Sequence, residues 1–255
     1  MSTVVPGNCA RFAAAPIADG GTPVTEWLAW QPDFPALRLD RCPGLVVVAA
    51  HPDDETLGFG AAASDIAAHD IEVHTVIASD GGMAWPDLSA WEQDRLQESR
   101  RHESQCAADL LGLPRPSFLG LPDGGLAAHE SHLADILTDI LTARGAGMWC
   151  AAPWRGDGHP DHEAAGRAAA IAARRTGAVL MEYPIWMWHW AHPDDADVPW
   201  NRAVRPSSEP VAALRKRQAI DAFRSQLHPQ ASDRDAILPP FVVSRIDQIG
   251  EVVFR

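Results

Sequence analysis

No paired cysteines, no glycine-rich phosphate loop and no apolar run of membrane-spanning length occur in this sequence, and each absence narrows what the chain can be. Cys9, Cys42, Cys106 and Cys150 stand far apart without a CxxC spacing, which argues against a disulfide framework or a thiolate zinc knuckle. Neither GxGxxG nor GxxxxGKS/T is present, so no loop offers nucleotide phosphates the close backbone approach they need. A non-catalytic nucleotide-binding α/β module is therefore poorly supported. Positive charge is scarce: 21 Lys and Arg face 34 Asp and Glu, for a formal net charge of −13. A nucleic-acid partner needs a basic face that displaces counterions, so none is expected, and a small neutral or cationic molecule fits better. The opening MSTVVPGNCARFAAAP has neither a charged n-region nor a continuous apolar h-region, so no membrane insertion and a cytoplasmic location are expected. One tyrosine contrasts with ten tryptophans, among them Trp186, Trp188, Trp190 and Trp200. Such clusters most often build a core or an interface, although indole faces also stack on sugars.

What is present is a regular rhythm. At 255 residues and 46% hydrophobic content the chain suits one α/β domain over residues 1–255. Residues 1–40 read as an irregular lead-in packed on a core of 41–183, with a Trp-rich loop, a helix and terminal strands over 184–255. Strands are expected at Leu45–Ala50, Ile71–Ser79, Pro116–Gly120, Met148–Ala152 and Ala178–Tyr183. Helices are expected between and after them, near 56–68, 90–111, 129–143, 163–175 and 209–227, with one or two further strands over Phe241–Phe254. This alternation implies a Rossmann-like, three-layer α/β domain with a mostly parallel sheet and its site at the carboxyl ends of the strands. Self-association into a homo-oligomer is compatible with these features and not specified by them.

Two motifs fall at such strand ends. In Ala50-His51-Pro52-Asp53-Asp54-Glu55, His51 and Asp54 lie three apart and can face one point in a first helical turn, while Asp53 projects elsewhere. An imidazole and a carboxylate so placed can bind a divalent ion, leaving the adjacent carboxylate as a base. In Asp157-Gly158-His159-Pro160-Asp161-His162, Pro160 suits a first helical position, and His159 and His162 share a face. One of these histidines can complete the ligands; His51, Asp54 and His162 would make a two-histidine, one-carboxylate metal set. Taken singly, either turn could merely cap a helix.

These motifs, with Arg100, Glu103, Ala107 and Leu111-Gly112 in an R-x-x-E-x-x-x-A-x-x-x-L-G pattern and Leu121-Pro122-Asp123-Gly124, resemble the PIG-L or LmbE-like N-deacetylases. That family includes N-acetylglucosaminyl-phosphatidylinositol deacetylases and the deacetylases of mycothiol and bacillithiol synthesis. The resemblance runs from about Leu45 to Ala173, and more weakly to Gln226. It implies His51, Asp54 and His162 as ligands of Zn2+, with Fe2+ also accommodated by such a set, and Asp53 as general base. It further implies that His159 stabilises the oxyanion as an imidazolium or protonates the departing amine, that Asp161 orients the His159 ring, and that Arg100 holds the substrate. Asp123, in its turn, could approach the same substrate. The implied partner is a small N-acylated molecule, with an N-acetylglucosamine unit and its acetyl group removed. An amidase acting on a thiol or antibiotic conjugate would use the same site.

Some features depart from that pattern or compete with it. Ser79-Asp80-Gly81-Gly82 stands where the family often has a T-R-G-E-like loop, and Phe223 stands where a histidine commonly precedes x-Ser-Gln, so no ligand is placed there. Ala191-His192-Pro193-Asp194-Asp195 repeats the first five letters of the metal motif, but Val198-Pro199 follows and discourages a helix, so a solvated loop is expected. Trp85 and Trp154 lie in the loops nearest the motifs, where core packing outweighs a role in covering a sugar ring.

Overall fold

The computed structural model describes residues 7–85, 87–229 and 234–255. Its strands are β1 (Ala36–Leu37), β2 (Leu45–Ala49), β3 (Val73–Ser79), β4 (Ser117–Leu121), β5 (Trp149–Pro153), β6 (Val179–Tyr183), β7 (Ala203–Pro206) and β8 (Val253–Phe254). They form one sheet in the order β1-β7-β8-β6-β5-β2-β3-β4. Every neighbouring pair is parallel except β8 with β6 and with β7.

The β-branched run of β2 is buried on both faces, as a central parallel strand requires. Leu45 and Val47 enter one core beneath the Asp54–Ala68 and Ala90–Leu111 helices. Val46, Val48 and Ala50 enter the other, beneath the Leu126–Arg144 and Pro160–Thr176 helices. Leu126, Leu133, Leu137 and Leu141 are fully buried along one stripe, each contributing about 1.5–3 kcal/mol by leaving water. Helix ends follow local chemistry. Ser89 and Glu92 close a capping box before Ala90–Leu111, and Gly112 ends that helix at φ 72°. The chain runs outward from β2 through β3 to β4, then returns to place β5 on the other side of β2. The resulting crevice between the carboxyl ends of β2 and β5 is where open α/β sheets hold ligands, and both histidine motifs emerge there.

The five expected strands and the α/β class are present, and three outer features differ. Of the one or two strands expected over Phe241–Phe254, one is present as β8 at its end, and Pro240–Ile249 is helical instead. Pro240 begins that helix, and Val242, Arg245 and Ile246 form its buried stripe, so the β-branched pair Val242-Val243 sits on a helical period. The helix expected over 209–227 is two pieces, Pro210–Ile220 and Arg224–Leu227. Glu103 takes the Ser225 N–H at 2.7 Å and its hydroxyl at 2.6 Å, which fixes the second piece at its own angle. The lead-in, whose first six residues lie outside the described ones, contains the short helices Asn8–Ala13 and Val24–Ala29 and strand β1. Trp154, Trp186, Trp188 and Trp190 are buried in the core, Trp154 lying parallel to Trp190. Among the described residues no helix is long and apolar enough to cross a membrane.

Candidate active site

The first turn separates its carboxylates by backbone geometry. Asp53 has φ 123°, a region disfavoured for any residue but glycine and commonly tolerated only where surrounding structure enforces it. Its side chain makes no capping bond to the helix it precedes. The Arg100 guanidinium enforces the turn instead, donating to the Pro52 carbonyl at 2.8 Å, to Asp53 Oδ2 at 3.2 Å and to the Gly81 carbonyl at 3.1 Å. A Cβ on Gly81 would collide with that guanidinium, so the glycine is what lets the loop close over Arg100. Asp54 is divided between two tasks. Its Oδ2 accepts the backbone N–H groups of Ala50 and His51 at 3.1 and 2.8 Å, and its Oδ1 faces His162 Nε2 at 3.2 Å.

The second turn is built around Asp157, which is fully buried. It accepts the N–H groups of Ile185, Trp186 and Met187 at 2.7–3.0 Å and contacts His162 Nδ1 at 2.8 Å. A carboxylate there holds the Nδ1 proton and aims Nε2 of His162 at Asp54. His159 precedes the Pro160–Thr176 helix and accepts the Asp161 N–H at Nδ1. Its Nε2 therefore carries the proton and is a donor. The carboxylate of Asp161 points away from that ring. It accepts from Gly124 and Leu126 N–H at 2.7 and 3.1 Å and lies 3.3 Å from His51 Nε2. Asp123 Oδ1 meets the same His51 nitrogen at 3.0 Å, while its Oδ2 accepts the Met83 N–H.

Electrostatics sorts these groups by role. Burial pushes the Asp53 carboxyl up to about 7, with Arg100 opposing it. Burial works against charge on Asp54, yet His162 and His51 hold its carboxyl well below the usual range. Burial likewise opposes charge on His162, but Asp54 and Asp157 outweigh it and raise the imidazole to about 9. Burial, then His162 and His51, push His159 down to about 3.

A divalent cation fits this donor set. Asp54 Oδ1 and His162 Nε2, 3.2 Å apart, call for a positive charge between them: in the imidazolium form a proton supplies it, and a divalent cation that displaces this proton would supply it with Nδ1–H still held by Asp157. His51 Nδ1 lies 3.7 Å from Asp54 Oδ2, and its Nε2 is engaged by Asp123 and Asp161 as an outer shell would be. Donor atoms of His51, His159 and His162 also fall within 4.8 Å of one another, as do those of His51, Asp123 and Asp161. The dual use of Asp54 and the backbone bond at His159 Nδ1 favour His51, Asp54 and His162 as the set.

The structure thus brings His51, Asp53, Asp54, Arg100, Asp123, His159 and His162 to one cavity of about 280 Å³. Two expectations change. Asp161 gives the His159 ring only its backbone N–H, its carboxylate meeting His51 instead; and burial, with His162 and His51, disfavours the imidazolium form expected of His159. Arg100, expected on the substrate, spends its bonds on Asp53 and two carbonyls, although it still lines the cavity. Sequence reading gave Asp157 no duty, although an aspartate five residues before His162 signals an outer-shell partner. It gave no place in the site to Phe12 or Ile17, and noted Trp186 only within the tryptophan cluster and Gln226 only at the end of the x-Ser-Gln stretch; all four line the cavity from distant segments. The repeated HPDD is elsewhere: Asp195 pairs with Arg11 and Asp194 accepts the Trp30 indole N–H.

Comparison with known proteins points to one family. Residues 46–173 match the family model described as PIG-L: GlcNAc-PI de-N-acetylase. A relative from Nocardioides sp., named 1D-myo-inositol 2-acetamido-2-deoxy-alpha-D-glucopyranoside deacetylase, is 30% identical over 235 residues, covering 80% of this chain and 74% of its own. The chain spans 54–59% of several further relatives of that name. Among solved structures, the conserved protein TT1542 from Thermus thermophilus is 29% identical with a TM-score of 0.53, covering 71% of this chain and 79% of that one. The N,N'-diacetylchitobiose deacetylase from Pyrococcus horikoshii shares the fold at 19% identity and a TM-score of 0.57, over 89% and 82% of the two chains. The match over half of the chain, a span that includes both turns described above, establishes that this protein belongs to the PIG-L family.

Proposed function

We propose that this protein is a metal-dependent N-deacetylase that releases acetate from a small substrate bearing an N-acetylglucosamine unit. The observation that carries the reading is Asp53: a buried carboxylate held off helix-capping duty and aimed into a cavity beside three convergent metal-type donors. His51, Asp54 and His162 would hold zinc or iron(II), and the ion supplies Lewis acidity toward the acyl carbonyl and the attacking water. Asp53 accepts the proton of that water, its burial having moved the carboxyl close to neutral pH, where a general base is most effective. His159 offers its Nε2–H to the developing oxyanion without first needing to be charged. Arg100 keeps Asp53 aimed, and Asp123 and Asp161 keep His51 aimed. The substrate unit rests on the names of the relatives and on cavity size. About 280 Å³ lies at the lower edge of the roughly 300–1,000 Å³ typical of small-molecule pockets, which favours one sugar-sized unit over a larger thiol or antibiotic conjugate. Acetate release from N-acetylated amino sugars by protein loaded with zinc or iron(II) tests the reading; a panel in which no compound yields acetate would overturn it.

A further inference from the structure

The lead-in supplies Phe12 and Ile17 to the lining of the cavity and is fastened beside it at three points. Asn8 Nδ2 donates to the Gly156 carbonyl at 2.7 Å. The Arg11 guanidinium pairs with Asp195 and with Asp197 and lies 4.3 Å from the centre of the Trp190 ring. His189 Nδ1 faces Arg245, a donor under all conditions, so Nε2 donates to the Ala15 carbonyl at 3.0 Å. The loop carrying the second histidine turn is shaped to receive this segment. A Cβ on Gly158 would meet Trp190 Nε1 at 2.6 Å, Phe12 Cβ at 2.8 Å and the Asn8 carbonyl at 3.1 Å, and one on Gly156 would meet Trp154 at 2.6 Å and Asn8 Nδ2 at 2.9 Å, so the lead-in and the tryptophans together close on this loop. The result is that Phe12 and Ile17 form part of the cavity wall, with the Phe12 ring centre 5.2 Å from Trp186 and 6.3 Å from His159. All of these lead-in residues precede the segment matched to the family, residues 46–173.

We propose that residues 8–17 are a substrate-sizing strap. Arg11 is its positioning residue, pinned by the repeated His-Pro-Asp-Asp turn, and Phe12 and Ile17 are its working face. The strap restricts the site to N-acyl compounds of about one sugar ring, and its aromatic wall of Phe12 and Trp186 receives the apolar face of that ring. The identity of the small substrate rests on the deacetylase reading; the size limit rests on the strap itself. No residue of Asn8–Ala13 is fully buried, so loss of the Arg11 contacts to Asp195, Asp197 and Trp190 frees the strap without unfolding the domain.

The test uses zinc-loaded protein and two metal-seeking probes, acetohydroxamate and a bulky naphthyl hydroxamate, with affinities measured by calorimetry. In Arg11→Ala and Asp195→Asn the affinity ratio should move at least tenfold toward the bulky probe. Phe12→Ala, which opens the wall without unpinning the strap, should move it the same way. Hydrogen exchange at residues 8–17 should accelerate in the first two variants and not in the third. A ratio unchanged within threefold in all three folded variants overturns the strap. If the ratio shifts but no N-acetyl compound yields acetate, the strap stands and the deacetylase reading falls; acetate release with an unchanged ratio does the reverse.

Discussion

Ala-His-Pro-Asp-Asp occurs twice in this chain, at residues 50–54 and 191–195, and the two copies have opposite fates. The first leaves the central strand β2 and enters a 15-residue helix, so its residues are buried and Asp54 is locked by two backbone N–H groups. The second leaves a four-residue helix and meets Val198-Pro199, so no long helix follows. Its His192 is exposed and its Asp195 serves Arg11. Both copies hold an aspartate at positive φ, 123° at Asp53 and 59° at Asp194, but the latter lies in the left-handed region that aspartate tolerates readily. Five identical letters thus make a site only where a buried strand delivers them to a helix start beside a second such turn. The motif carries the chemistry, and the sheet decides whether it is used.

The contrast can be attacked from its strongest consequence downward. Asp53→Asn should lower kcat by about 10²–10⁴-fold while bound metal stays stoichiometric; acetate-release kinetics beside elemental analysis would show whether the base and the ligands are separate groups. Glu182 tests the scaffold under the second histidine turn, since its fully buried carboxylate receives Arg155 and Arg202. Glu182→Gln should cost about 3 kcal/mol in denaturant unfolding. Burial opposes charge on Glu182, but the arginines hold its carboxyl below the unfolded value of 4.5. Its contribution is therefore complete above about pH 4.5 and is lost as pH falls through the folded value, and the wild-type stability profile in acid should flatten in the Gln variant. Asp157→Asn should weaken metal affinity by about 10–100-fold, as loss of an outer-shell partner does; competition with a chelator would measure it. The smallest effect belongs to the second copy. Asp195→Asn should shift unfolding free energy by no more than about 1 kcal/mol and leave metal affinity unchanged.

Much of the inner molecule was legible from the sequence because its signals are local. The run Leu45–Ala49 reads as a buried strand, Ser89 and Gly112 mark a helix, and the three-residue spacings of His51 with Asp54 and His159 with His162 place pairs of side chains together. Of the outer sheet only β8 falls where a terminal strand is expected; β1, with two residues, and β7, with four, are too short to show any alternation. The helix at Pro240–Ile249 was hidden by Val242-Val243, whose β preference yields to an amphipathic stripe against the core. The directions of Asp161 and Arg100 were hidden for another reason. Which neighbour a carboxylate or guanidinium satisfies depends on loops more than thirty residues away, Gly124 and Leu126 for Asp161 and Pro52 for Arg100. The wall supplied by Phe12 and Ile17 is a product of tertiary folding alone.

The central claim, that His51, Asp54 and His162 form the metal site and the repeated turn does not, is tested most directly by elemental analysis of three proteins purified side by side. Wild type and His192→Ala should each carry one equivalent of zinc or iron, and His162→Ala should carry none. Metal retained in His162→Ala, or lost in His192→Ala, would contradict the account.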